Sequence, residues 1–324
     1  MNDLIKEISI KEIDGVSIGH AQNEEAKTGV SVLYFKNGAQ AGCDISGGGP
    51  ASRETPLTDP MTADNPLNAV VLSGGSAYGL AASDGVMRCL EENGIGYNTG
   101  YALVPLVCQS CIYDLGFGSN QTRPDAAMGY EACKNAMESC SEAMGNIGAG
   151  TGASVGKLCG MKQAMKAGLG IHAIQAGELK IAAVVVVNAF GDIFNPENGQ
   201  KIAGLLDAER KEFLDLEQVF LSFMSAPKDM FNANTTIGCI ITNAKFDKAK
   251  LNKIAAMTRN AYGRCINPVG TMADGDSIYA CSVGEVVSDV NLVGTLSAKV
   301  MQKAIIKAVE AAKMDEEEYL KNCL

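Results

Sequence analysis

Asn232-Ala-Asn-Thr-Thr-Ile-Gly-Cys-Ile-Ile-Thr-Asn243 is the stretch on which the reading of the fold turns. A loop of asparagines and small residues ends at Asn234. Two threonines follow, and then an apolar run with Ile237, Cys239, Ile240 and Ile241, rich in the branched side chains that suit a pleated, buried strand. A threonine at the mouth of a strand is a weak nucleophile while its nitrogen is tied up in a peptide bond. Were the Asn234–Thr235 bond broken, Thr235 would carry a free α-amine that titrates near about 7.7–8.0, against about 10.4 for a lysine. Such an amine beside its own hydroxyl is one of the known pairings of nucleophilic catalysis. The same residues equally suit an ordinary turn leading into a strand.

Around that stretch the chain reads as one domain of mixed helix and strand. Its 324 residues are 47% hydrophobic and 20% charged, enough to bury a sizeable core. Aromatics are scarce at 6% and glycine abundant at 36 residues, which favours close backbone approaches over a bulky aromatic core. A net charge of −10 argues against nucleic acid or an anionic membrane as partner. The opening Met-Asn-Asp-Leu-Ile-Lys-Glu is too charged for a secretion signal. The run Ile181–Val187 falls well short of the ~20 residues of a spanning helix. Eleven cysteines, an odd number without a secreted-scaffold rhythm, point to the reducing cytoplasm.

Strands are expected at Gly29–Tyr34, Ala41–Ile45, Asn68–Ser73 and Ser277–Val283, and as a hairpin at Gly168–Gln175 and Leu179–Asn188. Helices are expected over Ala77–Asn93, Ala126–Met144 capped by Asp125, Asp207–Phe223, a segment capped by Asp247, and Thr295–Lys313 before an acidic tail. Ser225–Asn234 reads as an exposed loop. Strands in pairs with helices between the pairs suggest helices packed outside stacked sheets.

Several motifs yield to plainer readings. Gly148-Ala-Gly-Thr-Gly-Ala153 matches a dinucleotide fingerprint, but no strand precedes it, and Leu158 stands where a phosphate loop needs Ser or Thr. Ser76 lies on a strand–turn–helix, yet Tyr78 replaces the last glycine of a nucleophile elbow, and only His20 and His172 could serve as base. Cys108-Gln-Ser-Cys111 has redox spacing without a second ligand pair for a metal. Asp274-Gly-Asp276 suits a turn, a hard cation, or the orientation of a terminal threonine.

Taken in order, these segments resemble the self-processing aminopeptidase family of the L-aminopeptidase/D-esterase (DmpA) type, which includes β-peptidyl aminopeptidases and nylon-oligomer endohydrolases. The matching segments are Ser46-Gly-Gly-Gly-Pro50 with Arg53-Glu-Thr55, Leu72–Leu80, Gly145–Ala153 with Val155-Gly-Lys157, Val187–Asp192, Asn234-Thr-Thr236 and Asp274-Gly-Asp276. The resemblance implies a four-layer αββα sandwich, also shared by ornithine acetyltransferases and similar to N-terminal-nucleophile hydrolases. It implies autocleavage between Asn234 and Thr235 into residues 1–234 and 235–324, with Thr235 then attacking short peptides, amides or esters. Lys157 takes the place of the lysine near the nucleophile, Asn188 that of the oxyanion donor, Asp274 and Asp276 that of the orienting acids, and Tyr113 that of a tyrosine near the substrate. The expected assembly is a homotetramer, with no cofactor or metal. Gly270, where many relatives carry His, and Ala273 leave pocket size open. Two rival readings remain: acyl transfer to an amine, as in ornithine acetyltransferases, and an uncleaved homologue that only binds a small molecule.

Overall fold

Thr28–Ile45 forms one strand of 18 residues, where the sequence pointed to two. Between the two expected strands, the Asn37-Gly38 pair makes a bulge rather than a break. Gly38 takes φ +77°, the register shifts between Tyr34 and Ala39, and the strand bends without ending. Its first part lies in one sheet and its last residues, Gln40–Ile45, in another.

The computed structural model describes residues 4–223 and 234–324; the expected loop over residues 225–233 lies outside them. The main strands are β1 (Val16–Asn23), β2 (Thr28–Ile45), β3 (Leu67–Ser73), β4 (Val107–Cys111), β5 (Leu169–Ala176), β6 (Leu179–Asn188), β7 (Thr235–Ala244) and β8 (Ser277–Val286). The first sheet runs β5-β6-β7-β8 and then the end of β2, with β7 and β8 parallel. The second runs β1-β2-β3-β4, with β3 and β4 parallel. The four longest helices are α1 (Ala82–Glu92), α2 (Ala126–Glu138), α3 (Lys248–Thr258) and α4 (Val290–Glu310).

Strand alternation sorts the side chains into layers. Leu33, Phe35, Val70 and Leu72 of the second sheet meet Ile171, Val184, Val186, Ile237 and Cys239 of the first. On the far side of the first sheet, Ile181, Ala183, Val185 and Ile240 pack under Ile254 of α3 and Val300 and Ile305 of α4. On the far side of the second, Val30, Val32 and Val71 pack under Val86 and Leu90 of α1 and Cys133 of α2. The result is a four-layer αββα sandwich. Each fully buried Val, Leu or Ile contributes about 1.5–3 kcal/mol. Glycines bring the layers together: a Cβ on Gly85 of α1 would collide with the Ala126 carbonyl, and one on Gly129 of α2 with that of Ala82.

Several boundaries differ from expectation. The segment expected as a helix over Asp207–Phe223 is helical only at Leu216–Ser222, because Arg210 sits at φ +57° and Leu206 bridges to Phe213. α2 stops at Glu138, after which the chain turns extended and Ser141 bonds to the Ile18 carbonyl. The start of α1 is a 3-10 turn, Ser76–Ala81. α4 begins five residues earlier than expected, at an Asp289 cap. The acidic tail folds as a helix, Glu316–Asn322, with Tyr319 buried. Among the described residues no helix is long and apolar enough to cross a membrane.

Candidate active site

Thr235 is the first residue of β7 and lies opposite Asn188, the last residue of β6. Alternation puts its side chain on the face of Ile237 and Cys239, toward the space between the sheets, and only 4% of it is exposed. The hydroxyl donates to the carbonyl of Asn234. That oxygen also accepts the Gly275 N–H at 2.8 Å, while the Asn234 N–H donates to the Ala273 carbonyl at 2.8 Å. The 234–235 peptide is thus clamped on the 271–276 turn. A Cβ on Gly275 would lie 2.8 Å from the Thr235 hydroxyl and 2.7 Å from the Gly49 carbonyl, so only glycine brings this N–H so close.

The three-glycine loop seals the turn from outside. Ser46 and Gly47 donate to the Asp276 carbonyl, at 3.0 and 3.2 Å, Gly48 to that of Thr271 and Gly49 to that of Asp274. Asp274 accepts from the Thr271 amide and hydroxyl, at 2.9 and 2.6 Å. Asp276 accepts from the Thr236 N–H at 2.6 Å and the Gly270 N–H at 3.1 Å. Burial, with the Asp274 carboxylate beside it, pushes Asp276 up to about 7. Asp276 thus holds the adjoining Thr236, and Asp274 holds its own turn and the Phe190 N–H at 3.4 Å.

Lys157 opens a 3-10 turn after Gly156, which sits at φ +72°. Its ammonium donates to the Asn188 backbone carbonyl at 3.0 Å and the Asn188 side-chain oxygen at 2.8 Å. Burial lowers it to about 7, against the opposing pull of Asp274 and Asp114. The Asn188 side chain also accepts the Ser154 N–H at 3.1 Å and donates to the Tyr113 carbonyl at 2.9 Å. The Tyr113 side chain itself is 37% exposed.

Two buried charges beside the site escaped the sequence reading. Asp114 accepts from the Thr28 hydroxyl at 2.6 Å and the Gly75 N–H at 2.7 Å, and burial raises it. Lys166 donates to the carbonyls of Gly150, Ala153 and Ala167, and burial lowers it to about 7. The one hint was each residue's position at the edge of an apolar stretch. The rejected motifs stay rejected. Ser76 is half-buried, His20 bonds to Ser31, and His172 lies against Glu7. Cys108 and Cys111 are buried on β4.

This four-layer sandwich has a variant of the N-terminal-nucleophile hydrolase fold. It superposes on the L-aminopeptidase D-Ala-esterase/amidase of Ochrobactrum anthropi with a TM-score of 0.69 at 17% identity, covering 96% of this chain and 92% of that one. A Burkholderia sp. β-aminopeptidase gives 0.65 at 17% identity, covering 96% and 91%. At sequence level the chain is 35% identical over 321 residues to an uncharacterized aminopeptidase of Mycobacterium tuberculosis, covering 95% of this chain and 90% of the relative. It is 30% identical over 315 residues to a 6-aminohexanoate-oligomer endohydrolase of Agromyces sp., covering 92% and 84%. Residues 9–318 match peptidase family S58. The chain belongs to that family of aminopeptidase-type hydrolases.

Proposed function

We propose that this protein is a self-processing amide hydrolase whose nucleophile, Thr235, becomes N-terminal when the chain cuts its own Asn234–Thr235 bond. One observation carries the reading: the Thr235 hydroxyl donates to the carbonyl of the bond it would attack, and the Gly275 N–H lies 2.8 Å from that oxygen. Attack of the hydroxyl oxygen on the Asn234 carbonyl carbon moves charge onto the carbonyl oxygen, where the Gly275 amide offsets it. A donor of this kind contributes about 3–4 kcal/mol. Collapse with protonation of the Thr235 nitrogen breaks the C–N bond and leaves an ester. That break frees the Thr235 amine; water then hydrolyses the ester, releasing the Thr235 hydroxyl and an Asn234 carboxylate.

The mature enzyme repeats the sequence on substrate through an acyl-enzyme. Held near 7, Lys157 spends part of its time as a neutral amine. In that form it keeps two N–H groups for the two Asn188 oxygens and a lone pair for the proton of the attacking hydroxyl. Asn188 has a second amide hydrogen for the acyl oxygen. Asp276, bonded to the Thr236 N–H, and Asp274 orient the new amine. Tyr113 lies where substrate enters. Short peptides, amino-acid amides or esters are the substrates in this reading. The assembly is a homotetramer of processed units, in the cytoplasm.

Denaturing mass spectrometry tests the cut. Wild-type protein should give residues 1–234 and 235–324 as separate chains. Thr235→Ala should stay whole and lose about 10³-fold or more of its turnover of amino-acid anilides. Wild-type protein that remains one chain after long incubation refutes the mechanism.

A further inference from the structure

Three groups hold the amide of Asn188: the Lys157 ammonium and the Ser154 N–H on its oxygen, and the Tyr113 carbonyl on its nitrogen. The Ser154 and Tyr113 groups both sit on segments braced by residues 316–324. Behind Tyr113, the Gly118 N–H donates to the Asn322 carbonyl at 2.7 Å and the Leu324 N–H to that of Gly116 at 3.0 Å. Phe117 packs on Tyr319 with ring centroids 5.1 Å apart. Behind Ser154, the Tyr319 hydroxyl donates to the Met161 carbonyl at 3.0 Å. The Met161 sulfur in turn accepts from the Ser154 hydroxyl at 3.7 Å. Arg210 ties the next turn down, donating to the carbonyls of Lys162 and Ala164 while it pairs with Glu316.

Two of the three supports of Asn188 therefore converge on residues 316–324. We propose that this segment is a positioning clamp: it touches no reacting atom, but through Met161 and Gly116–Gly118 it holds the two groups that, with Lys157, orient Asn188 opposite Thr235. Tyr319 is its central positioning residue. If the chain is cut after Asn234, the clamp belongs to the small chain and the segments it holds to the large one. The geometry of the site is then set across the two chains. The effect on turnover rests on the function proposed above; the effect on Ser154 does not.

The test uses the full-length protein, Tyr319→Phe, and a chain ending at Met314 with a synthetic peptide of residues 315–324 added back. Tyr319→Phe keeps the ring on Phe117 and removes the hydroxyl's bonds to the Met161 carbonyl and the Cys323 thiol. It should lower kcat about five- to tenfold with KM changed less than about twofold. Its Tm should stay near wild type, while amide exchange at Ser154 speeds up. The shortened chain should lose more turnover, and the peptide should restore it. Unchanged Ser154 exchange in Tyr319→Phe overturns the proposal, as does a shortened chain that turns over like the intact one. Should the shortened chain fail to fold, Tyr319→Phe decides. Should wild-type protein show no hydrolysis, the proposed function falls and Ser154 exchange alone judges the clamp.

Discussion

In the proposed mechanism, Lys157 sets the pH at which Thr235 can lose its proton. Buried and lowered to about 7, it is an ammonium below that value and a base above it. The rate should therefore rise with pH through about 7. Asp276, pushed up to about 7, gives up its proton in the same interval, so the wild-type limb should be steeper than one group produces. Lys157→Met should lower kcat by about 10²-fold and leave a residual rate with a one-proton slope; an unchanged pH–rate profile would remove the lysine from the mechanism. Thr235, Lys157, Asn188, Asp274 and Asp276 could be picked out of the sequence only as an ordered set. Singly, each has a commonplace alternative: turn, loop, strand end. Asp114 and Lys166 left no such trace. Their hydrogen-bond partners are a hydroxyl and backbone groups, which no pattern of residue types announces.

The elements that were legible are those whose period survives in the side chains. β6 begins and ends where alternation and the Asn188 boundary put it, and Asp125 and Asp247 cap their helices. Failures came where backbone conformation overrode composition, as at Arg210 in the left-handed region and at the Gly38 bulge. Between α1 and α2, composition did speak: many glycines implied close approaches, and Gly85 and Gly129 are two of them. Gly85→Val should push the helices apart and cost about 1–3 kcal/mol, the usual range for overpacking. Thermal unfolding would show it as a lower Tm. A variant as stable as wild type would mean that the contact yields without cost.

For the whole molecule, the proposed cut falls inside a continuous sheet. β7 stays hydrogen-bonded to β6, and β8 to β2, so both edges of the small chain are laddered to the large one. The two chains should migrate together under native conditions and unfold in one cooperative transition. Gel filtration of processed protein that separates them without denaturant would contradict this. The long strand β2 adds a constraint of another kind. A single strand runs through both sheets, and it crosses from one to the other away from Thr235: Gln40, just past the bulge, pairs with Ser282, which lies beside Thr242 at the other end of β7. Stacked sheets stand about 10 Å apart, and this strand ties that spacing down at the Thr242 end. Any splaying of the sandwich pivots about the crossing and opens widest at the end where Thr235 lies.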